Sequence, residues 1–171
     1  MSVLPIKFDV QFDRGHQVSK RAHIEAMREA HRAAGELWHA KMLPKHFTAQ
    51  AKATYQHQAR KPKYIERKKR MALAGKVLLS GVIDNVLHGL TEDALKGFVS
   101  VKAFPTRFTL RMSGPSYLSM RPYKSGQPDK AAEITRITAT EKKELAAEMR
   151  RTYLRRVREL IAAGRVAGRK G

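Results

Sequence analysis

Seven histidines are the side chains best able to do chemistry in this chain, and three of them keep a regular spacing. His23, His31 and His39 recur every eight residues, so on a helix they would drift only slightly round one face. Eight residues climb about 12 Å, which is too far for one metal ion to bridge. There is no His-Glu-x-x-His pattern. These histidines therefore read as ordinary polar or interfacial groups. Ser80 with nearby Asp84 raises the idea of a serine nucleophile, but Ser80-Gly81 lacks the Gly-x-Ser-x-Gly elbow. No Walker-type loop and no Gly-x-Gly-x-x-Gly occurs. The absence of cysteine excludes disulfides, zinc–thiolate sites, iron–sulfur clusters and thiol nucleophiles, and it suits a reducing cytoplasm. With only 15 acidic residues, paired carboxylates are scarce. The expectation is a protein that is not an enzyme and carries no cofactor and no metal.

Charge carries the stronger signal. The 35 Lys and Arg against 15 Asp and Glu give a formal +20. Such a surplus repels itself when the chain stands alone, and it is best tolerated beside a polyanion or an acidic protein surface. The densest part is Arg60-Lys61-Pro62-Lys63-Tyr64-Ile65-Glu66-Arg67-Lys68-Lys69-Arg70. A run this polar is expected to be a solvated arm or a loop leading into a helix. Its cations suit phosphates, and Tyr55 and Tyr64 suit stacking on bases. The plainer reading is that the tyrosines anchor the arm to the core and the cations are simply hydrated. A second cluster, Arg150, Arg151, Arg155, Arg156 and Arg158, lies near the other end of the chain. The candidate partner-facing or DNA-facing residues are thus Arg60, Lys61, Lys63, Arg67, Lys68, Lys69, Arg70 and these five arginines.

The periodicity says what must position these groups. Val3 to Phe12 alternates apolar and polar residues, as a half-buried strand does. From Ser19, a plausible N-cap, to Met42 the pattern is helical, with Ile24, Met27, Ala30, Ala34, Leu37, Trp38 and Lys41 on one stripe. Trp38 on that stripe reads as core. Leu43-Pro44 is expected to end the helix, and Thr48 to cap a short one from Ala49 to about Gln56. Val77 to Leu90 fits strand and helix equally well. Phe98–Phe104 and Arg107–Met112 read as two strands joined round Pro105-Thr106. Gly114 to Asp129 is a turn-rich loop. Glu133 to Thr138 reads as a short strand or a lead-in to a helix. Thr140 then caps a last helix with Glu141 in its first turn and Leu145, Met149, Tyr153, Val157 and Leu160/Ile161 as its stripe.

The resulting expectation is an α+β fold: one domain spanning 1–171 with a long N-terminal helix, a small, mostly antiparallel sheet and a C-terminal helix. A basic arm occupies about 57–72 and a flexible basic tail about 164–171. No apolar run approaches the roughly 20 residues needed to cross a bilayer, so no membrane association is expected. Met1 to Asp9 lacks the pattern of a signal peptide.

The middle of the chain resembles the neck and tail-completion (head–tail joining) proteins of tailed bacteriophages. The resemblance runs through Leu37-Trp38-His39-Ala40-Lys41-Met42-Leu43-Pro44-Lys45-His46-Phe47-Thr48, then Tyr55, Arg60, Tyr64 and Arg67-Lys68, then Leu78-Leu79-Ser80-Gly81. It continues through Pro115 and Tyr117, Glu133-Ile134-Thr135-Arg136-Ile137-Thr138, and Glu141 with Leu145. The chain departs from the pattern at Val82-Ile83-Asp84, where a more basic continuation is expected. The resemblance implies a structural virion protein, made in the host cytoplasm and placed at the junction between head and tail. It implies a homo-oligomeric ring of about six or twelve copies round the DNA channel. Adjacent head-completion, portal or tail proteins would be its partners, with sequence-independent contact with DNA. The rival class is a sequence-independent nucleic-acid-binding protein of ribosomal or chromatin type.

Overall fold

A computed structural model describes residues 3–4, 19–74, 95–97, 99–112 and 128–163. It is a helix-rich α+β fold. In chain order the elements are β1 (Val3–Leu4), α1 (Lys20–Leu37), a π-helical turn (Trp38–Met42), a 3₁₀ helix (Leu43–Phe47), α2 (Ala51–Thr54), α3 (Pro62–Leu73), β2 (Val99–Ala103), β3 (Phe108–Met112), α4 (Lys130–Ile134) and α5 (Ala139–Ala162). The three strands form one sheet in the order β1–β3–β2, with β2 and β3 an antiparallel hairpin. Residues 5–12 of the expected first strand, the Val77–Leu90 segment, residues 114–127 of the turn-rich loop and the 164–171 tail lie outside the described residues.

The described chain divides into two compact units. One holds α1, the outer part of the hairpin (101–110) and α5. Ser19 caps α1 by accepting a hydrogen bond from the Ala22 amide (3.3 Å). The buried face of α1 is not centred on the expected stripe. It is Ala22, Ala26, Met27, Ala30, His31, Ala34 and Gly35, while Ile24 and Leu37 are only half buried. Alanines four residues apart present a flat ridge, which lets α5 lie close along α1 with Leu145, Met149, Val157 and Leu160 buried. At Gly35 the helix meets the hairpin so tightly that a Cβ would stand 2.9 Å from Val101 Cγ1 and 3.2 Å from Phe108 Cδ2. No side chain larger than hydrogen fits there without a shift of its neighbours.

The other unit holds the turns after α1, then α2, α3 and α4. Leu43-Pro44 does not stop the helical path. It tightens, because proline in a first turn forfeits no helical hydrogen bond, and the 3₁₀ helix runs on to Phe47. Thr48 does not cap the next helix either. Its hydroxyl donates back to the Lys45 carbonyl (2.9 Å), and α2 starts later, at Ala51. The end of α2 is closed by a hydrogen bond from the His57 amide to the Lys52 carbonyl (3.1 Å), with Gln56 in the left-handed region at φ 51°. That is the Schellman closure, with glutamine where glycine is usual. Met42, Leu43, Phe47, Ala51, Tyr55, Leu95, Met112 and Ile134 are the described core of this unit. His46 stacks face to face on Tyr55, with ring centroids 3.6 Å apart.

The Glu133–Thr138 segment is neither a strand nor simply a lead-in. Asp129 caps α4 by accepting from the Ala132 amide (3.0 Å), so Glu133 and Ile134 belong to a helical turn. Glu141 stands in the first turn of α5 as expected, but the helix already includes Ala139 and Thr140, which places Thr140 inside it rather than at its cap.

Candidate functional site

The basic run 60–70 is a helix with a buried root. Lys61 stands in extended backbone, and Pro62 opens α3 with its φ already set for a helix. Immediately before, Arg60 turns inward. Its Nη1 and Nη2 donate to Glu133 Oε1 (3.0 Å) and Oε2 (2.6 Å), a bidentate pair closed off from solvent on both sides. Glu133 Oε1 also accepts from the Gln58 amide (2.9 Å). Arg136 adds a second tie, donating from Nη1 to the carbonyls of Tyr55 (2.7 Å) and Gln56 (3.0 Å). Lys130 shares this corner. Burial first, and the Arg60 guanidinium second, hold its ammonium below the usual lysine range, while Glu133 pulls the other way. Three polar links thus hold residues 55–60 on α4 and its following turn.

The expectation of a solvated arm over about 57–72 is therefore corrected at three positions, His57, Arg60 and Lys68. Arg60 is spent on Glu133. Lys68, only 2% exposed, lies on the inner face of α3 and is held within the protein. A lysine's methylene stem covers apolar surface, so a cation in a basic run can still be buried when its head finds a partner. Tyr55 is 1% exposed and stacked on His46, so it anchors the core and is closed to bases. What stays exposed on this helix is Lys61, Lys63, Arg67, Lys69 and Arg70, none of which pairs with a carboxylate among the described residues. Lys63, Arg67 and Arg70 follow i, i+4, i+7 spacing and make one ridge. Tyr64, 37% exposed, lines a shallow cleft of about 120 Å³ with Arg67, Lys68 and Met71.

The second cluster sits on α5, in the other unit. Arg151 pairs with Glu148 on the same helix. Arg155 approaches Glu159 (3.9 Å). Arg156 donates to Glu25 of α1 (2.5 Å) and to Glu159 (2.7 Å), and these bonds raise its pKa further. Arg150 and Arg158 are exposed and pair with no carboxylate among the described residues. Tyr153, on the stripe, is half buried. Its hydroxyl meets His23 Nδ1 at 2.9 Å, and burial pushes its phenol up.

The regularly spaced histidines do not converge. His31 hydrogen-bonds the Met27 carbonyl through Nδ1 (2.9 Å), and His39 reaches the Leu95 carbonyl through Nε2 (2.7 Å). Among the described residues there is no group of three His, Asp or Glu that could hold a metal, and no helix is long and apolar enough to cross a membrane. Sequence reasoning missed two features. Lys102 and Arg107 both stand over the Phe104 ring at the hairpin turn, at 5.4 and 5.3 Å. Leu154, off the expected stripe, and Ile161, placed on it as an alternative to Leu160, both face outward on α5.

Fold and surface together define a helix-rich α+β protein with two helices whose exposed cations meet no carboxylate among the described residues. Compared with known proteins, the chain matches no family model, no curated sequence and no solved structure.

Proposed function

We propose that this chain is a non-enzymatic structural protein that works beside nucleic acid, as a subunit of the neck or tail-completion ring joining head to tail in a tailed phage. The observation that carries the nucleic-acid part is the ridge of α3: Lys63, Arg67 and Arg70, with Lys61 and Lys69 nearby, exposed and without carboxylate partners among the described residues. The helix beneath them is fixed by the buried Arg60–Glu133 pair. Diffuse charge on a held helix suits a wall past which DNA slides, because phosphate contacts attract without reading sequence. The ring itself rests on the sequence resemblance and on a net +20 that favours assembly beside a polyanion.

The test is a salt titration of binding to two duplexes of unrelated sequence. Both should bind alike. The triple variant K63E/R67E/R70E should flatten the slope of log K against log salt by about 0.9 for every phosphate it no longer neutralises. A preference for one sequence that survives high salt would support the dedicated nucleic-acid-binding class instead. Absence of binding would remove the DNA-facing role, and parent virions that lack the protein would remove the ring.

A further inference from the structure

Among the described residues the exposed large apolar side chains are Tyr64, Leu73, Leu154 and Ile161, and two of these share α5. Leu154 (42% exposed) and Ile161 (55%) are seven residues apart, two helical turns, and so lie on one face. Exposed Ala147 precedes Leu154 by another seven, giving a heptad ridge of one small and two branched apolar residues. Arg150 and Arg158 flank Leu154 at four residues on either side. The neighbouring acids are already engaged: Glu148 holds Arg151, and Glu159 holds Arg155 and Arg156. The outward face of α5 therefore combines an apolar seam with cations that nothing on the helix neutralises.

We infer that this face docks an acidic amphipathic helix of a partner protein. The seam requires apolar residues at heptad spacing, and Arg150 and Arg158 require carboxylates beside them. Nucleic acid meets only half of this. A phosphate ridge would pair with the arginines, but it would place dehydrated phosphates against Leu154 and Ile161 with nothing gained. A second copy of this chain fits no better. Antiparallel pairing about Leu154 sets Arg150 against Arg158, and parallel pairing sets each arginine against its twin, in a chain that already carries +20. This assignment is independent of the DNA-facing role given to α3.

The experiment uses the full chain and a labelled four-heptad peptide with leucine at a and d and glutamate at e and g, beside a scrambled peptide of the same composition. Fluorescence anisotropy should show binding of the heptad peptide, weakened by salt. Leu154→Gln with Ile161→Gln, which removes the seam and leaves the charge alone, should weaken it by about tenfold or more. Both positions are exposed, so the variant should keep the parent's circular dichroism. Equal binding of the scrambled peptide, or an unchanged affinity in the double variant, would overturn the inference. So would a loss of duplex DNA binding in that variant, which would give the face to nucleic acid. A lower sedimenting mass of the free variant would give it to a second copy.

Discussion

Replacing Arg60 by methionine keeps most of the side-chain volume and deletes both hydrogen bonds to Glu133. The carboxylate is then left in a site where its side chain is 7% exposed, with the Gln58 amide as its hydrogen-bond donor and Lys130 as the remaining nearby cation. Removing one partner of a buried ion pair costs about 3–5 kcal/mol, against about 0–1 kcal/mol for an exposed pair. For a chain of this length each kcal/mol moves Tm by about 2–4 °C, so the melt should fall by about 6–20 °C. Adding Glu133→Leu should recover part of the loss. The stranded charge goes, but the Gln58 N–H loses its acceptor at about 1–3 kcal/mol. Urea unfolding should be followed by circular dichroism and by the fluorescence of Trp38, the single tryptophan, because a chain with two compact units must be tested for coincident transitions. If Arg60→Met costs less than about 1 kcal/mol, the pair is screened by solvent and the account of how α3 is held is wrong. A double variant less stable than Arg60→Met would refute it equally.

Gly35→Ala would normally stabilise a helix by up to about 1 kcal/mol. Here the added methyl meets Val101 and Phe108, so a net loss of about 1–2 kcal/mol in a thermal melt is expected, and a gain would mean that the hairpin yields freely. Tyr153→Phe should cost about 0.5–1.5 kcal/mol by unpairing His23, measured in the same melt. The phenol's pKa is raised in the folded state, so it binds its proton more tightly there than in the unfolded chain. The wild type should therefore lose stability as pH rises beyond about 10 and through the folded pKa, and Tyr153→Phe should show less of this decline.

The parts of the fold that are legible in the sequence are those set by local rules. Ser19 reads as a cap because a hydroxyl before a run of helix formers has an amide within reach, and the amide of Ala22 does meet it. The α5 stripe reads correctly through Leu160 because Leu145, Met149, Val157 and Leu160 keep helical spacing and are buried together. Errors cluster where two local rules compete. Pro44 looks like a stop but serves as the opening of a tighter helix. The α1 stripe reads correctly at Met27, Ala30, Ala34 and Trp38, but close packing adds Ala22 and Ala26 and leaves the larger Ile24 and Leu37 half buried.

The candidate site is legible as a charge and illegible as a set of roles, for a reason that lies in sequence distance. Arg60 and Arg67 look interchangeable in a basic run, yet Arg60 is fixed by a carboxylate 73 residues away, and no local pattern announces that partner. Lys68 follows Arg67 directly, but a step of about 100° round the helix carries it from the wet face to the buried one. On α5 the same logic separates Arg156, tied to Glu25 across 131 residues, from Arg158, which meets no carboxylate among the described residues. The number of cations in the two clusters therefore overstates how many of them a polyanion can meet. Among the described residues of the two basic clusters, the cations left to act on a partner are Lys61, Lys63, Arg67, Lys69 and Arg70 on one helix and Arg150 and Arg158 on the other. Leu154 and Ile161, seven residues apart, share a face with the second group, whereas Tyr64 and Leu73 on α3 lie nine apart and share none, which is why the two helices suit different partners.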